Sequence, residues 1–226
     1  MKSRLVSALI GKTRLPQTLA VAGLALATLV AARAQTPPQN TSDPAQVRAL
    51  LPTGDGVTAG DLENKFRRQE LTLLGKKELS FEFLIPKNWG NEFSFQNVSA
   101  EALRRDSEQA VPLMAIYPSG NDDLYVRFLY IRQPPEVAPA EVLDRMIERD
   151  HWAPVARQAL QIKGRAAEDV LVRDHTPDLG PVYRRVTVLR QGGLLFIIVS
   201  TVAEDDYEKY KGQVGVLATS FTPLGT

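Results

Sequence analysis

One apolar segment near the C-terminus constrains the fold more than any other part of the chain. Residues 194–199 are six consecutive bulky apolar residues, and the strand that they predict continues to residue 202. A strand with one face in water would alternate apolar and polar residues, so an unbroken run indicates burial on both faces. The segment therefore predicts a strand that other parts of the chain cover on both sides.

The residues on either side of this strand predict its neighbours. Gln191-Gly192-Gly193 is a turn signal, which predicts a hairpin with a second strand over residues 182–190. Three acidic residues, 204–206, follow the apolar strand and favour the start of a helix, because the helix dipole attracts acids to the first turn. This last helix is predicted over residues 204–219.

Alternating apolar residues elsewhere predict more strands, and a longer periodicity predicts one more helix. The additional strands are predicted at residues 69–74, 78–85, 112–117, 124–132, 159–162 and 166–173. The helix is predicted over residues 139–150, with Val142, Leu143 and Met146 on its apolar face. Together these elements predict the α+β class: an antiparallel sheet built from hairpins, with helices packed on it, preceded by a signal peptide and a flexible tail.

The N-terminus has the three parts of a Sec-type signal peptide. Basic residues precede an apolar run over residues 19–32, and Ala32-Arg33-Ala34 supplies the small residues that a signal peptidase requires. We predict that residues 1–34 are a signal peptide cleaved after Ala34. The mature protein is then periplasmic or secreted, without stable membrane insertion. The alternative is an uncleaved membrane anchor, which the short run disfavours because spanning a bilayer takes about 20 residues.

The segment at residues 35–60 is rich in proline, glycine and small polar residues and is predicted to be a flexible tail or linker. Within it, Asp43 is suited to cap a short helix that begins with Pro44 and runs to Leu51. We interpret the tail as a spacer, and a tether to a neighbouring protein is the alternative. The single α+β domain is predicted to occupy residues 61–226.

The composition excludes several functions. The chain has no cysteine, which rules out disulfides, thiol catalysis and lipidation at a cleavage-site cysteine. It has 27 Lys and Arg and 26 Asp and Glu; five of the basic residues precede the cleavage site, so the mature protein has 22 basic and 26 acidic residues and a net charge of −4. A mildly acidic domain gives no reason to expect binding to nucleic acid or to anionic membranes.

The sequence has no recognisable catalytic or metal-binding pattern. His151 and His175 each follow an aspartate, but they lack the spacing of ligands, and a transition-metal site draws three or four ligands. No Gly-x-Ser-x-Gly motif is present, and Asn121-Asp122-Asp123 offers too few oxygens for calcium. We therefore predict no catalytic residue, no cofactor and no metal, and we expect both histidines at surface or cap positions.

Two groups of residues are candidates for a binding site. Four aromatic residues could line a ligand or partner groove: Trp89, Phe93, Tyr117 and Trp152. Packing in the core is the more usual role of such side chains and the favoured interpretation. Two basic pairs, Arg104-Arg105 and Arg184-Arg185, are interpreted as solvated surface charge, and a seat for an acidic partner is the alternative.

Three segments carry a resemblance to the PsbP/DcrB-like family of extra-cytoplasmic domains. They are LSFEFLIPKNW at residues 79–89, FIIVSTVAEDDYEKY at residues 196–210 and TSF at residues 219–221. The likeness covers most of residues 70–222. It implies an antiparallel sheet between helices and a binding or assembly role without catalysis, and it assigns no site residue.

Export and the absence of a catalytic set lead to one principal functional prediction. The chain is predicted to be a non-enzymatic periplasmic domain that binds proteins or assists assembly within an envelope or secretion complex, with envelope proteins as its partners. The alternative is a small-ligand or lipid-binding periplasmic protein that uses the aromatic groove. A hydrolase that uses His151 or His175 is the third hypothesis.

Overall fold

The described part of the chain forms two antiparallel sheets and four α-helices. The structure is a computed structural model that describes residues 41–89, 93–95, 110–118 and 123–225. Its strands are β1 (Phe66–Thr72), β2 (Ser80–Pro86), β3 (Phe93–Phe95), β4 (Val111–Ile116), β5 (Leu124–Arg132), β6 (Ala153–Ile162), β7 (Arg165–Thr176), β8 (Gly180–Gln191), β9 (Leu194–Ala203) and β10 (Thr222–Pro223). Its helices are α1 (Pro44–Leu50), α2 (Ala59–Lys65), α3 (Pro139–Asp150) and α4 (Tyr207–Ser220).

The larger sheet has seven strands in the order β3-β4-β5-β9-β8-β7-β6, and the smaller has the order β1-β2-β10. Every pair of neighbouring strands is antiparallel. These findings confirm the α+β class and the hairpin-built antiparallel sheet predicted from the sequence. The predicted signal peptide, residues 1–34, lies outside the described residues.

The central strand β9 is buried on both faces, as its apolar run predicts. Phe196 and Ile198 belong to a core cluster that also contains residues of α4 and of the small sheet. Leu195 and Ile197 belong to a second cluster with residues of α3. Because successive side chains of a strand point to opposite faces, the two clusters lie on opposite sides of the large sheet, which we call the α4 face and the α3 face.

Phenylalanines from both sheets and from the chain end pack together on the α4 face. The ring of Phe81 on β2 lies 5.7 Å from Phe128 on β5 and 4.9 Å from Phe221. Such ring pairs are stabilising beyond the apolar area that they bury. The small sheet is therefore joined to the large one by the side chains of the LSFEFLIPKNW segment, which explains why that segment is rich in phenylalanine.

The strand β6 begins earlier than the sequence pattern predicts, at Ala153 instead of residue 159. A register shift between Pro154 and Ala156 interrupts the pairing with β7. A bulge of this kind breaks the regular alternation from which strands are predicted. The pattern is therefore visible only in the second half of the strand.

The prediction that residues 35–60 form a flexible tail is wrong for its described part, residues 41–60. Thr41 donates its N–H to the carbonyl of Val155 at 3.0 Å, and Asp43 caps α1 through the N–H of Ala45. Leu51 is completely buried in the first core cluster. We call residues 41–57 the N-terminal strap. A helix of seven residues has too few apolar positions to reveal its buried side by periodicity.

Candidate functional site

Where α3 ends, the α3 face of the large sheet carries a row of aromatic and polar side chains. We call it the aromatic–arginine row, and its members are Tyr117, Tyr125, Thr201, Arg184, Asp174 and Trp152. The register places Tyr125 opposite Thr201, and Thr201 opposite Arg184. Side chains that are directly opposite in neighbouring strands share a face. The row therefore crosses β5, β9 and β8 side by side.

The end of α3 places Trp152 at one end of this row. His151 has a left-handed backbone conformation with a φ of 53°, and its N–H bonds the carbonyl of Glu148 at 3.3 Å. The N–H of Trp152 then bonds the carbonyl of Ile147 at 3.1 Å. This ending turns the chain back toward the sheet, where the half-buried Trp152 packs against the second core cluster. His151 is an exposed cap residue, as predicted.

Arg184 holds the centre of the row together. Its Nε donates to Asp174 Oδ2 at 2.6 Å, and its Nη1 donates to Thr201 Oγ1 at 3.1 Å and, more weakly, to the Tyr125 hydroxyl at 3.5 Å. The guanidinium carbon lies 6.0 Å from the centre of the Trp152 ring. Arg184 is only 9% exposed, so these interactions are shielded from water and fix the side chains around them.

Asp174 is kept ionised by its neighbours. Burial alone raises the pKa of this carboxyl group, but hydrogen bonds from the backbone N–H of His175 and from Arg184 outweigh burial, and the Trp152 indole adds to them. The pKa of Asp174 therefore lies below its ordinary value. The negative charge that results is matched by Arg184, so the centre of the row has no net charge.

The other end of the row is open to solvent. Tyr117 is 45% exposed, and its ring centre lies 6.1 Å from that of the half-buried Tyr125. Arg127, on the same face of β5, places its guanidinium carbon 5.5 Å from the centre of the Tyr125 ring. A cation over the face of a tyrosine is attracted by the ring. This end therefore presents an aromatic surface beside a positive charge.

Trp89, Tyr117 and Trp152, three of the four aromatic residues predicted to share a groove, do not share one. Trp89 is buried on the α4 face, where its indole Nε1 donates to Gln213 Oε1 on α4 at 2.8 Å. Trp152 and Tyr117 are on the α3 face, at opposite ends of the row. Phe93 starts β3 and pairs with Ile116. Trp89 lies in the turn region after Pro86. A sequence pattern does not show to which face of a sheet a turn directs its side chains, so the position of Trp89 could not be predicted.

Tyr125 is a member of the row that sequence reasoning missed. The hairpin of β4 and β5 has a register in which Ile116 faces Val126. Extending that register by one residue places Tyr117 opposite Tyr125, on the other face. The predicted hairpin therefore implies that Tyr117 and Tyr125 are neighbours once the register of its two strands is known.

Both interpretations of Arg184 and Arg185, as solvated surface charge and as a pair that seats an acidic partner, are wrong, because both residues are buried. Consecutive residues of a strand point to opposite faces, and each arginine has its own acid within the domain. Arg185 is 1% exposed and pairs with Asp169, which is fully buried on the α4 face. Burial of both charges is possible because the two side chains form a bidentate pair. The other basic pair, Arg104-Arg105, lies outside the described residues.

The remaining polar candidates are separate from one another. His175 is exposed at the end of β7. Among residues 41–89, 93–95, 110–118 and 123–225, no three acidic, histidine or cysteine side chains are grouped as metal ligands would be. The residues Asn121 and Asp122 lie outside the described part. The absence of a catalytic residue, a cofactor and a metal therefore stays a prediction from the sequence.

Comparison with known proteins finds relatives in fold alone. No family model matches the chain, and no curated protein matches it. The solved structure of cyanobacterial PsbP (CyanoP) from Synechocystis sp. PCC 6803 is similar, with 15% identity and a TM-score of 0.53 over 74% of this chain and 95% of that one.

Two other solved structures are less similar. One is LpqN of Mycobacterium tuberculosis, described as involved in cell envelope biogenesis, with 14% identity and a TM-score of 0.45 over 75% of this chain and 98% of that one. The other is the Ran-binding protein Mog1p of Saccharomyces cerevisiae, with 12% identity and a TM-score of 0.44 over 71% of this chain and 97% of that one.

The likeness to CyanoP shows that this chain has a PsbP-like fold, which confirms the resemblance seen in the sequence. The three resembling segments contain β2, then most of β9 with the start of α4, and then the end of α4. Within the part of the chain that the structure describes, no helix is both long and apolar enough to cross a membrane.

Proposed function

We propose that this protein is a non-enzymatic domain that works outside the cytoplasm and binds envelope proteins through the aromatic–arginine row. The observation that carries the proposal is a set of exposed and half-buried aromatic rings, those of Tyr117, Tyr125 and Trp152, beside the buried Arg184 that holds the centre of the row together. Tyrosine and tryptophan are among the residues that most often dominate the energy of protein–protein interfaces. The location rests on the predicted signal peptide.

The geometry of the row supports binding more than chemistry. Asp174 is neutralised by Arg184, whose other hydrogen bonds go to Thr201 and Tyr125. An acid–base catalyst needs a proton donor or acceptor that is within reach of a substrate and has its pKa near the working pH. The lowered pKa of Asp174 does not meet this requirement. These properties of Asp174 favour a recognition surface over a catalytic centre at the row.

The hydrogen bonds of Arg184 also reduce the cost of binding. A side chain that is mobile in the free protein loses conformational entropy when it is immobilised in an interface. Tyr125 and Trp152 are already half-buried and in contact with Arg184. A partner would therefore meet a surface that is largely preformed, with Tyr117 as its most exposed aromatic contact.

Co-purification tests the proposal. The tagged mature protein is isolated from its native envelope in three forms: wild type, Tyr117→Ala, and Leu224→Ala as a matched control. Leu224 is a second exposed large hydrophobic side chain among the described residues, at 40% exposure, and it lies beside β10, away from the row. We expect envelope proteins that are recovered with the wild type and the control and lost with Tyr117→Ala. Recovery of the same proteins with all three forms, or of none with the wild type, would contradict the proposal.

A further inference from the structure

A cavity of about 260 Å³ lies between α3 and the large sheet. The described residues that line it are Ala110, Ile131, Val142, Arg145, Met146, Arg149 and Ile197. The helix packs on β7 and β8, whereas Ile131 and Ile197 come from β5 and β9. The cavity therefore occupies the space beside the helix, where the apolar surface of the sheet continues past it.

The cavity is apolar within and basic at its rim. Ile131 and Ile197 are buried residues of the sheet, and Val142 and Met146 are buried residues of α3. Arg145 and Arg149 are four residues apart on α3 and therefore lie on the same side of the helix, one turn from each other. Apolar walls favour the binding of a hydrocarbon chain, which is removed from water there. The flexible side chain of Met146 can adapt to the shape of a bound molecule.

The two arginines differ in how far their charge is neutralised. Arg149 forms two hydrogen bonds of 2.7 Å with the carboxylate of Asp150. Among the residues that the structure describes, Arg145 instead donates to two neutral oxygens, the carbonyl of Glu141 at 3.3 Å and Gln133 Oε1 at 3.5 Å. A carboxylate would form shorter and stronger bonds with a guanidinium than these neutral acceptors do. Arg145 is therefore the better anchor for an anion at the rim.

We infer that this cavity binds a medium-chain fatty acid, with the carboxylate on Arg145 and the alkyl chain against Ile131 and Ile197. Charge complementarity selects the anionic head group, and the apolar lining selects the chain. A water molecule occupies about 30 Å³ of liquid, and a methylene group is of comparable size, so the space suits a chain of about eight to ten carbons. This site is separate from the aromatic–arginine row and does not depend on the proposed protein binding.

Calorimetric titration of the mature protein with decanoate tests the inference. The variant Arg145→Gln removes the charge at the rim, Arg145→Lys restores it, and Met146→Phe fills part of the cavity. Arg48→Gln is the matched control, because Arg48 is an exposed arginine of the short helix α1, outside the cavity. Thermal unfolding of each variant establishes that it is folded before it is titrated.

We expect decanoate to bind the wild type and Arg48→Gln equally. We expect Arg145→Gln to weaken binding about tenfold, as the loss of a charge-assisted hydrogen bond does, Arg145→Lys to recover part of it, and Met146→Phe to reduce it. Decanol, which has the same chain and no charge, should bind more weakly than decanoate. Absence of decanoate binding, equal binding of decanol, or binding that neither Arg145→Gln nor Met146→Phe reduces would overturn the inference.

Discussion

Arg185 and Asp169 form a bidentate ion pair inside the domain, on the neighbouring strands β8 and β7. Arg185 donates from Nη2 to Asp169 Oδ2 at 2.7 Å and from Nε to Oδ1 at 3.1 Å, and neither residue is accessible to water beyond 1%. Arg185 also donates from Nη1 to the carbonyl of Pro52 at 2.7 Å. The pair therefore joins the centre of the large sheet to the N-terminal strap.

Hydrogen bonds to three successive carbonyl groups hold the N-terminal strap against the domain. Tyr207 on α4 donates its hydroxyl to Leu50 at 2.6 Å, Gln158 on β6 donates to Leu51 at 3.0 Å, and Arg185 donates to Pro52. Carbonyls at the C-terminal end of a helix have no partner within the helix, so side chains from three other elements replace the missing donors. The end of α1 is buried without leaving these acceptors unpaired.

Removing one member of the buried pair should be costly. We expect Asp169→Ala to lower the free energy of unfolding by about 3 to 5 kcal/mol, because it leaves the Arg185 charge buried without a counter-ion. Replacing both residues with apolar ones, Asp169→Leu with Arg185→Met, should recover part of that loss, because it removes the buried charge but leaves the Pro52 carbonyl without its donor. Urea unfolding of the three proteins measures both changes. A loss below about 1 kcal/mol in Asp169→Ala would show that the pair is not buried as described.

Two glycines of α4 should respond in opposite ways to alanine. A Cβ at Gly215 would overlap the carbonyl oxygen of Pro52 and lie 2.9 Å from Arg185 Nη1, whereas a Cβ at Gly212 would meet nothing within 4 Å. We expect Gly212→Ala to stabilise the protein by up to about 1 kcal/mol through helix propensity.

For Gly215→Ala we expect a destabilisation of about 1 to 3 kcal/mol from overpacking, with faster hydrogen exchange in the N-terminal strap. Urea unfolding and exchange measured by mass spectrometry compare the two variants directly. Equal effects of the two alanines would mean that the strap does not pack against α4.

The ion pair of Asp174 with Arg184 should make part of the stability depend on pH. Because the pKa of Asp174 is lowered in the folded state, its contribution is fully present above the ordinary value of 3.8 and is lost as the pH falls through the folded value below it. We expect Asp174→Asn to be less stable than the wild type at pH 6, and this difference to shrink as the pH is lowered below 3.8. Urea midpoints from pH 6 to pH 2 measure it, and a difference that stays constant would contradict the assignment.

Processing of the N-terminus provides a separate test. Cleavage after Ala34 would leave Gln35 as the first residue, a few residues before the point where Thr41 joins the edge of β6. The intact mass of the protein recovered from the envelope fraction identifies the mature N-terminus. We expect the mass of residues 35–226, and the mass of the uncleaved chain would favour the membrane-anchor alternative.

Sequence patterns predicted the elements of this fold better than their tertiary contacts. The limits of α3 are those predicted, and β9 is buried on both sides, because a helical face and an unbroken apolar run are local signals. The helix of the strap, capped by Asp43, forms as predicted. Its packing against the domain was missed because its two buried apolar side chains, Val47 and Leu51, are too few to form a pattern. The burial of these two side chains depends on contacts with residues far away in the sequence, and local patterns carry no information about such contacts.

The candidate site was predicted only in part for a similar reason. Tyr117 and Trp152 were recognised as aromatic candidates, but Trp89 was placed with them although it lies on the α4 face. Arg184 and Arg185 were treated as one basic pair, and alternation along β8 separates them to opposite faces, each with its own carboxylate. Assigning a side chain to a face requires the strand register, which bulges and turns fix and composition does not.

Photo-crosslinking at Tyr117 tests the central claim most directly. A photoreactive benzoylphenylalanine is placed at position 117 in one strain and, as control, at position 224 in another, and both are irradiated in intact cells. The account predicts adducts with one or a few envelope proteins from position 117 and none of these from position 224. The same adducts from both positions, or none from position 117, would contradict a protein-binding role for the aromatic–arginine row.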